Sequence, residues 1–520
     1  MKIKFIRDGF ANNSSSAHSI IYSKKNFSKM RDEQSDYGFG WENFTLVSKE
    51  AKEEYLFLLL IENLNIYNKS DSIFYKSKRK IADKSDWHCL PIVYKTGNKF
   101  VLNLNRFETQ DYITKVLTED FKEFGFDTLF SQYQYLMDKN CENYEPIDHQ
   151  SVIRFPRDST GKIHTGFAKD LITYIINNEF AILGGNDNDC DDNENAEYND
   201  GHILINVLAQ GKYDSLVVVY DSNSGDYVLQ NQRKGTIIRF SFENNYESKK
   251  SEFPTLVDIS ITSFCDKGCK FCYQSSTKSG THSDVDFVKN VLNELKSKGC
   301  LEVVFGGGEP STHPKFLEIV KHAKDLGLVV GVTTKNQHFL SIPNSKEILE
   351  NINSIAFSCN NNTEAQQAID LFDKISNKTR NVSFYFQTIL GLNSLDSLCD
   401  MVEFIKNDGT YFEKNLTLLG YKDFGFGKKQ QPHNVDGWIE RIKESVEAEY
   451  DQMSVGIDSI VVKKWKDQLI ESGVDYRNLV GEEGKFSCYI DCVEKKIAAS
   501  SFTDTKFDFD SNWLTTFKSF

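Results

Sequence analysis

From about residue 255 onward, the chain alternates short apolar runs with stretches of helical periodicity. The run "TLVDISIT" at 255–262 is apolar and β-branched, as a buried strand should be. A helical pattern follows in "DVDFVKNVLNELKSKG", with Val285, Val288, Val291, Leu292 and Leu295 at the spacing of one helix face. Strand-like "LEVVFGG", "LVVGVTTK", "SIAFSCN", "NVSFYFQTIL" and "NLTLLGYKDFG" then alternate with helical "PKFLEIVKHAKDLG", "SKEILENI", "TEAQQAIDLFDKIS", "LDSLCDMVEFIKN" and "VDGWIERIKESVEAEYD". Alternation at this interval predicts a parallel α/β sheet or barrel. About six β/α units fit between 255 and 450, too few to close an eight-unit barrel.

The first 245 residues do not alternate in this way. They mix a helical pattern, "FAKDLITYIINNEF", with strand-like "YDSLVVVYDS", "DYVLQNQ" and "GTIIRFSFE". The expected organisation is α/β overall: an α+β domain at 1–245, a partial (β/α)6 TIM-type barrel at 246–450, and a small C-terminal cap at 451–520. A large domain fused directly ahead of an open barrel is expected to shield the opening or recruit the substrate.

Composition narrows the function classes. The chain has 520 residues and a net charge of −14, with no basic run beyond short pieces such as Lys76–Lys80. Nucleic-acid binding draws on basic patches that release counterions, so charge does not invite it. The longest apolar run, Tyr55–Ile61, falls far short of the ~20 residues a membrane-spanning helix needs. The N-terminus has no apolar core of a secretory signal, so a cytoplasmic location is expected, where structural disulfides are rare.

Two polar stretches carry weaker signals. Phe10–Ser19 holds an Asn-Ser-Ser-Ser run suited to capping a turn. Gly184–His202 is acidic enough to attract a hard cation, but it lacks the spacing of an EF-hand and reads as a solvated loop.

The densest chemistry is "FCDKGCKFCYQ", Phe264–Gln274, with Cys265, Cys269 and Cys272 spaced C-x3-C-x2-C. A disulfide knot, a zinc site and an iron–sulfur cluster with one open iron compete for it. Structural zinc prefers four protein ligands, so it would need His282 or a distant thiol as well. The loop follows the first strand of the β/α run, where α/β folds put their active sites. One unit later comes "FGGGEP", Phe305–Pro310, whose glycines permit a close approach to the backbone.

Together, C-x3-C-x-Φ-C with Phe271 at Φ, and Gly-Gly-Glu-Pro at Gly307–Pro310, resemble the radical S-adenosylmethionine (radical SAM) superfamily. The resemblance is good over 255–450, loose over 450–520, and does not extend to the first 245 residues. It implies an enzyme in which Cys265, Cys269 and Cys272 hold three irons of a [4Fe–4S] cluster, while the fourth binds S-adenosylmethionine. The cluster would cleave that cofactor reductively, and the resulting radical would take hydrogen from a substrate. By the same resemblance, Gly307, Gly308 and Glu309 contact the cofactor's methionine amino group and Phe271 lies by its adenine. Thr334, Asn336, Ser358 and Gln387, at strand ends, are candidates for ribose and carboxylate contacts. An electron donor such as flavodoxin or ferredoxin is implied.

The tail "GKFSCYIDCVEKKIAASSF" (484–502) resembles the SPASM extension of peptide-modifying members, and on that basis a peptide or protein substrate is expected. Where that extension would carry a further cysteine, this chain has Ser500 and Ser501. Cys488 and Cys492 alone are too few for a cluster and are expected to be buried apolar groups. Cys89, Cys141, Cys190, Cys300, Cys359 and Cys399 are expected to be structural. A small-molecule or nucleoside substrate, and a non-catalytic metal-binding scaffold or sensor, are the alternative readings.

Overall fold

A computed structural model of the chain describes residues 249–520, apart from 380–381, 447–452, 476–478 and 480–481. Before these it describes 155–158, 163–177, 181–184, 204, 208, 216–233 and 235–242. Nearer the start it describes 2–7, 21–23, 44–46, 48–49, 51–53, 55–57, 59–60, 63, 92–96, 99–103 and 119–124. The serine-rich run at 10–19, the acidic stretch beyond Gly184, and Cys89, Cys141 and Cys190 lie outside the described residues.

The strands and helices read from the pattern are present. In chain order they are β1 (Leu256–Thr262), α1 (Val285–Lys298), β2 (Glu302–Gly307), α2 (Phe316–Asp325), β3 (Val329–Thr334) and α3 (Ser345–Glu350). Next come β4 (Ser354–Ser358), α4 (Asn362–Ser376), β5 (Ser383–Ile389), α5 (Leu395–Lys406), β6 (Asn415–Leu419) and α6 (Trp438–Val446). The tail adds β7 (Ser454–Ile457), α7 (Ser459–Glu471), β8 (Ser487–Asp491), β9 (Lys496–Ala498), β10 (Phe507–Asp508) and α8 (Trp513–Lys518).

These strands form one open sheet in the order β7-β6-β5-β4-β3-β2-β1-β8-β9-β10. The pairings from β7 through β8 are all parallel, and β9 and β10 are antiparallel. The tail therefore forms the β8–β9 hairpin and lengthens the sheet at both ends. β8 pairs with β1, Val257 opposite Cys488, and β7 pairs with β6. β7 escapes a reading of apolar runs because it has four residues and its Val455 and Gly456 are exposed.

Alternation fixes which way each strand faces. Val257, Ile259 and Ile261 are buried under the helices, while Asp258 between them is exposed toward the sheet's other face. Phe384 and Phe386 of β5 and Phe357 of β4 pack likewise around Phe372 of α4, whose ring lies 4.7 Å from that of Phe384. Each fully buried side chain of this size contributes about 1.5–3 kcal/mol. Helix ends are set locally: Asp284 caps α1 by accepting from Phe287 N–H, and Gly299 ends it in the left-handed region.

Ahead of the barrel, Lys2–Arg7, Leu216–Asp221, Asp226–Asn231 and Ile237–Ser241 form an antiparallel sheet. Its contacts with the barrel gather at the amino ends of the barrel strands. Val228 and Ile237 pack on Leu301, just before β2, and the Gln230 side chain donates to Glu302. Asn353, just before β4, donates to the Gln232 carbonyl, and the Arg239 guanidinium lies 4.3 Å from the ring of Phe486, just before β8. The cysteine loop is at the carboxyl ends. The described sheet thus floors the barrel at the end away from that loop, which is not where a shield over the opening was expected. The reason is chemical: its apolar and amide side chains match the residues that precede each barrel strand.

Candidate active site

Three separate segments hold the loop that carries the cysteines. Cys265 N–H donates to the Thr277 carbonyl at 2.9 Å, closing the loop on its own return. Gly308 N–H donates to Thr262 O at 2.6 Å and Glu309 N–H to Phe264 O at 2.9 Å, tying the loop to the end of β2. Phe426 N–H donates to Cys272 O at 2.9 Å, tying it to the turn after β6.

The glycines of the second segment are required by the chain itself. Gly307 has φ +111°, and a Cβ there would lie 2.4 Å from Ser260 Oγ and Thr262 O. A Cβ on Gly308 would lie 2.1 Å from Phe264 O. The close approach expected of a ligand is thus made by the strand that launches the cysteine loop.

Glu309 is buried, and its carboxylate is fully engaged. Oε1 accepts from Thr334 Oγ1 and Ser311 Oγ, both at 2.6 Å, and Oε2 accepts from Lys335 N–H at 2.9 Å. Asn336 joins this network, donating its amide to Ser311 Oγ and its N–H to Thr334 Oγ1, both at 3.0 Å. The structure therefore brings Glu309, Thr334 and Asn336 together. Ser358 and Gln387 stand apart, opposite one another on β4 and β5, half-buried on the face that carries Asp258. Sequence reasoning missed Ser311, Lys335 and Phe426. The glycines around Phe426 were the available signal, since a Cβ on Gly425 would lie 2.3 Å from Tyr273 O.

All three thiols of the loop are half-buried, and Cys265 and Cys269 line a cavity of about 390 Å³ with Lys270, Lys278 and Phe426. Burial pushes the Cys265 and Cys269 thiols above the ordinary cysteine value, and the neighbouring thiols push the same way. At Cys269 the Lys335 ammonium acts in the opposite sense. Lys335 also pairs with Glu364 at 2.6 Å and lies 5.8 Å from the Phe271 ring. Among the described residues, no three His, Cys, Asp or Glu side chains already stand as a metal ligand set. His282, the histidine a zinc site would need, has its Nδ1 2.9 Å from Thr262 Oγ1 and its ring 5.2 Å from that of His313.

The donor set nonetheless fits an iron–sulfur cluster. The Cys269 and Cys272 side chains oppose ionisation of Cys265, Cys265 and Cys269 border a cavity, and a bound cation would favour the thiolates. Cys488 and Cys492 are buried, and burial drives both thiols far up, as suits apolar packing. Cys300, Cys359 and Cys399 are buried as well.

An open parallel β/α sheet with a three-thiol loop at its carboxyl mouth, pinned to a Gly-Gly-Glu turn, defines the class of protein. Residues 259–389 match the family model of the radical SAM superfamily. The cofactors of the superfamily are a [4Fe–4S] cluster and S-adenosylmethionine. The chain is 39% identical over 83 residues to the PqqA peptide cyclase of Bradyrhizobium diazoefficiens, which covers 16% of this chain and 22% of that protein. It is 31% identical over 88 residues to the S-adenosylmethionine-dependent nucleotide dehydratase of Selenomonas ruminantium, covering 16% and 31%. The chain thus spans about a fifth to a third of the length of these curated relatives. The crystal structure of Streptococcus suis SuiB bound to S-adenosylmethionine aligns over 59% of this chain and 88% of that one, at 12% identity and a TM-score of 0.44. Among the described residues, no helix is long and apolar enough to cross a membrane.

Proposed function

We propose that the chain is a radical SAM enzyme acting on a side chain of a peptide or protein in the cytoplasm. The observation that carries this reading is the cysteine loop pinned to the Gly-Gly-Glu turn by the Gly308 and Glu309 amides. Cys265, Cys269 and Cys272 would hold a [4Fe–4S] cluster through three irons, leaving one for S-adenosylmethionine. Bound together, the two cofactors supply reductive cleavage of S-adenosylmethionine and abstraction of a hydrogen atom.

The protein's own part is positioning. Gly307 and Gly308 let β2 approach the loop, and Glu309 fixes the β3 end through Thr334 and the Lys335 amide. That holds Lys335 and Phe271 beside Cys269, where they would meet the cofactor's carboxylate and adenine. Ser358 and Gln387, on the same sheet face as Asp258, would meet its polar parts. The peptide substrate is supported by similarity to the PqqA peptide cyclases. Similarity to the nucleotide dehydratase supports a second reading, a nucleotide or other small-molecule substrate.

The test is anaerobic reconstitution followed by reduction in the presence of S-adenosylmethionine. Release of 5′-deoxyadenosine and methionine is expected, together with a mass change on a supplied peptide. Iron-loaded protein that releases neither product overturns the enzyme reading. Product release with a mass change only on a nucleotide favours the second.

A further inference from the structure

Lys422, just beyond the carboxyl end of β6, meets two other segments of the chain. Its ammonium lies 4.4 Å from the ring of Tyr273, the residue after Cys272, and 4.8 Å from the ring of Phe502 in the tail. Tyr273 also meets the tail directly. Its phenol oxygen accepts from Ser501 Oγ at 3.1 Å and from Gln274 Nε2 at 3.1 Å. Lys422, Tyr273, Ser501 and Phe502 are all half-buried. The cysteine loop, the end of β6 and the tail thus converge beside Cys272.

Two hydrogen-bond donors of this site have no acceptor. Among the described residues, Lys422 makes no hydrogen bond and no ion pair, so two rings flank its ammonium and nothing accepts from it. The Tyr273 oxygen accepts twice, which uses its lone pairs and leaves its own O–H to donate elsewhere. Burial alone would lower the Lys422 pKa, but the field of Tyr273, Asp458, Asp258 and Glu483 raises it, so the group stays an ammonium. Those carboxylates supply field and not contact. Asp458 Oδ1 accepts from the Gly420 and Val461 amides, both at 3.0 Å, and Glu483 accepts from Ser459 Oγ. An ammonium and a phenol O–H side by side match the two oxygens of a carboxylate, and hydrogen bonds to ionised groups are the strong ones.

We propose that Lys422 and Tyr273 form a recognition site for a carboxylate on the peptide substrate, either an Asp or Glu side chain or a terminal carboxyl group. The inference deepens the peptide reading above and rests on it. A carboxylate held there fixes the register of the peptide against the cysteine loop. The pair would thereby set the spacing between an acidic residue and the residue that is modified.

The experiment is a binding selection that needs no turnover. The iron-loaded full chain, with S-adenosylhomocysteine present, is offered mixtures of short peptides of otherwise random sequence. One mixture has a central Asp or Glu and both ends capped. A second has Asn or Gln there and both ends capped. A third is the second with a free carboxyl terminus. Mass spectrometry of the retained peptides gives the ratio of acidic to neutral ones, which a purely structural role would not set. The parent should favour the first or the third mixture over the second by about tenfold, and whichever it favours identifies the source of the carboxylate. Lys422→Met should bring the ratio down to about twofold or less, Tyr273→Phe should lower it by about threefold, and Lys422→Arg should retain it. Iron content of each variant checks that the cysteine loop is intact. Equal retention of all three mixtures by the parent, or retention of none, overturns the proposal. So does a parental ratio in Lys422→Met. An iron-loaded parent that never releases 5′-deoxyadenosine would overturn the enzyme reading instead, and the selection would still decide the carboxylate site.

Discussion

The backbone N–H of Glu309 donates to the carbonyl oxygen of Phe264, 2.9 Å away, and Phe264 is the residue before Cys265. Two separate sequence motifs, the cysteine loop and the Gly-Gly-Glu turn, are thus one hydrogen-bonded unit. Disturbing one should disturb the other.

Gly308→Val tests that coupling. Its Cβ would lie 2.1 Å from Phe264 O, so the cysteine loop must move, and overpacking of this kind costs about 1–3 kcal/mol. Loss of both iron and S-adenosylmethionine binding is expected after anaerobic reconstitution. Gly306→Ala is the control, because no atom lies within 4 Å of its Cβ position, and it should load iron normally. Full iron in Gly308→Val would mean that the turn serves the cofactor alone.

Glu309→Gln should destabilise the fold. The carboxylate accepts from Thr334, Ser311 and the Lys335 amide, and the Gln amide would put N–H groups against one set of these donors. A loss of about 2–3 kcal/mol is expected in denaturant unfolding, as for hydrogen bonds to a buried charged group. Thr334→Ala, which removes one donor, should cost about 1 kcal/mol by the same measure. Equal midpoints for Glu309→Gln and the parent would remove Glu309 from this structural role.

The cysteines should divide cleanly in iron content. The parent should hold about four irons per chain, and replacing Cys265, Cys269 and Cys272 together by Ala should abolish them. Replacing Cys488 and Cys492 by Ala should leave iron unchanged, because both are buried under the sheet. About eight irons in the parent, falling to about four in the Cys488/Cys492 variant, would show that the tail binds a second cluster.

The floor of the barrel should show a pH signature. Arg239 donates to Asp221 Oδ2 at 2.8 Å and to Ser251 Oγ at 3.0 Å, joining the N-terminal sheet to the segment that enters β1. Burial alone would raise the Asp221 pKa, but hydrogen bonds from Arg239 and Ser251 and the guanidinium charge bring it below its ordinary value. A depressed carboxylate stabilises the fold above its unfolded pKa, about 3.9, and the contribution fades as pH falls through the lower folded value. Asp221→Asn should therefore destabilise the fold at pH 7, by less than the about 3–5 kcal/mol of stranding a buried Arg, because Asp226 Oδ2 still lies 3.5 Å from the Arg239 guanidinium. The gap from the parent should narrow below about pH 4. Unfolding midpoints at pH 7 and pH 3.5 check this, and a gap independent of pH would contradict it.

Much of this protein was legible in its sequence. The periodicity of apolar positions determined the β/α alternation from 255 to 450, because a strand buried under helices must repeat every two residues and a helix every 3.6. The spacing of Cys265, Cys269 and Cys272, with Gly307–Glu309 one unit later, marked the site, because three thiols and a glycine turn are local features. Other facts needed the tertiary structure. Glu309, Thr334 and Asn336 meet only because β2 and β3 are neighbours in register, and no local pattern tells a buried network from a row of cofactor contacts. β7 and β8 join the barrel edges through backbone hydrogen bonds, which leave little trace in side-chain identity. The Leu216–Ser241 strands lie beneath the barrel, not over its mouth, because Leu301, Glu302 and Phe486 offer partners there, and contacts so distant along the chain exist only once it has folded.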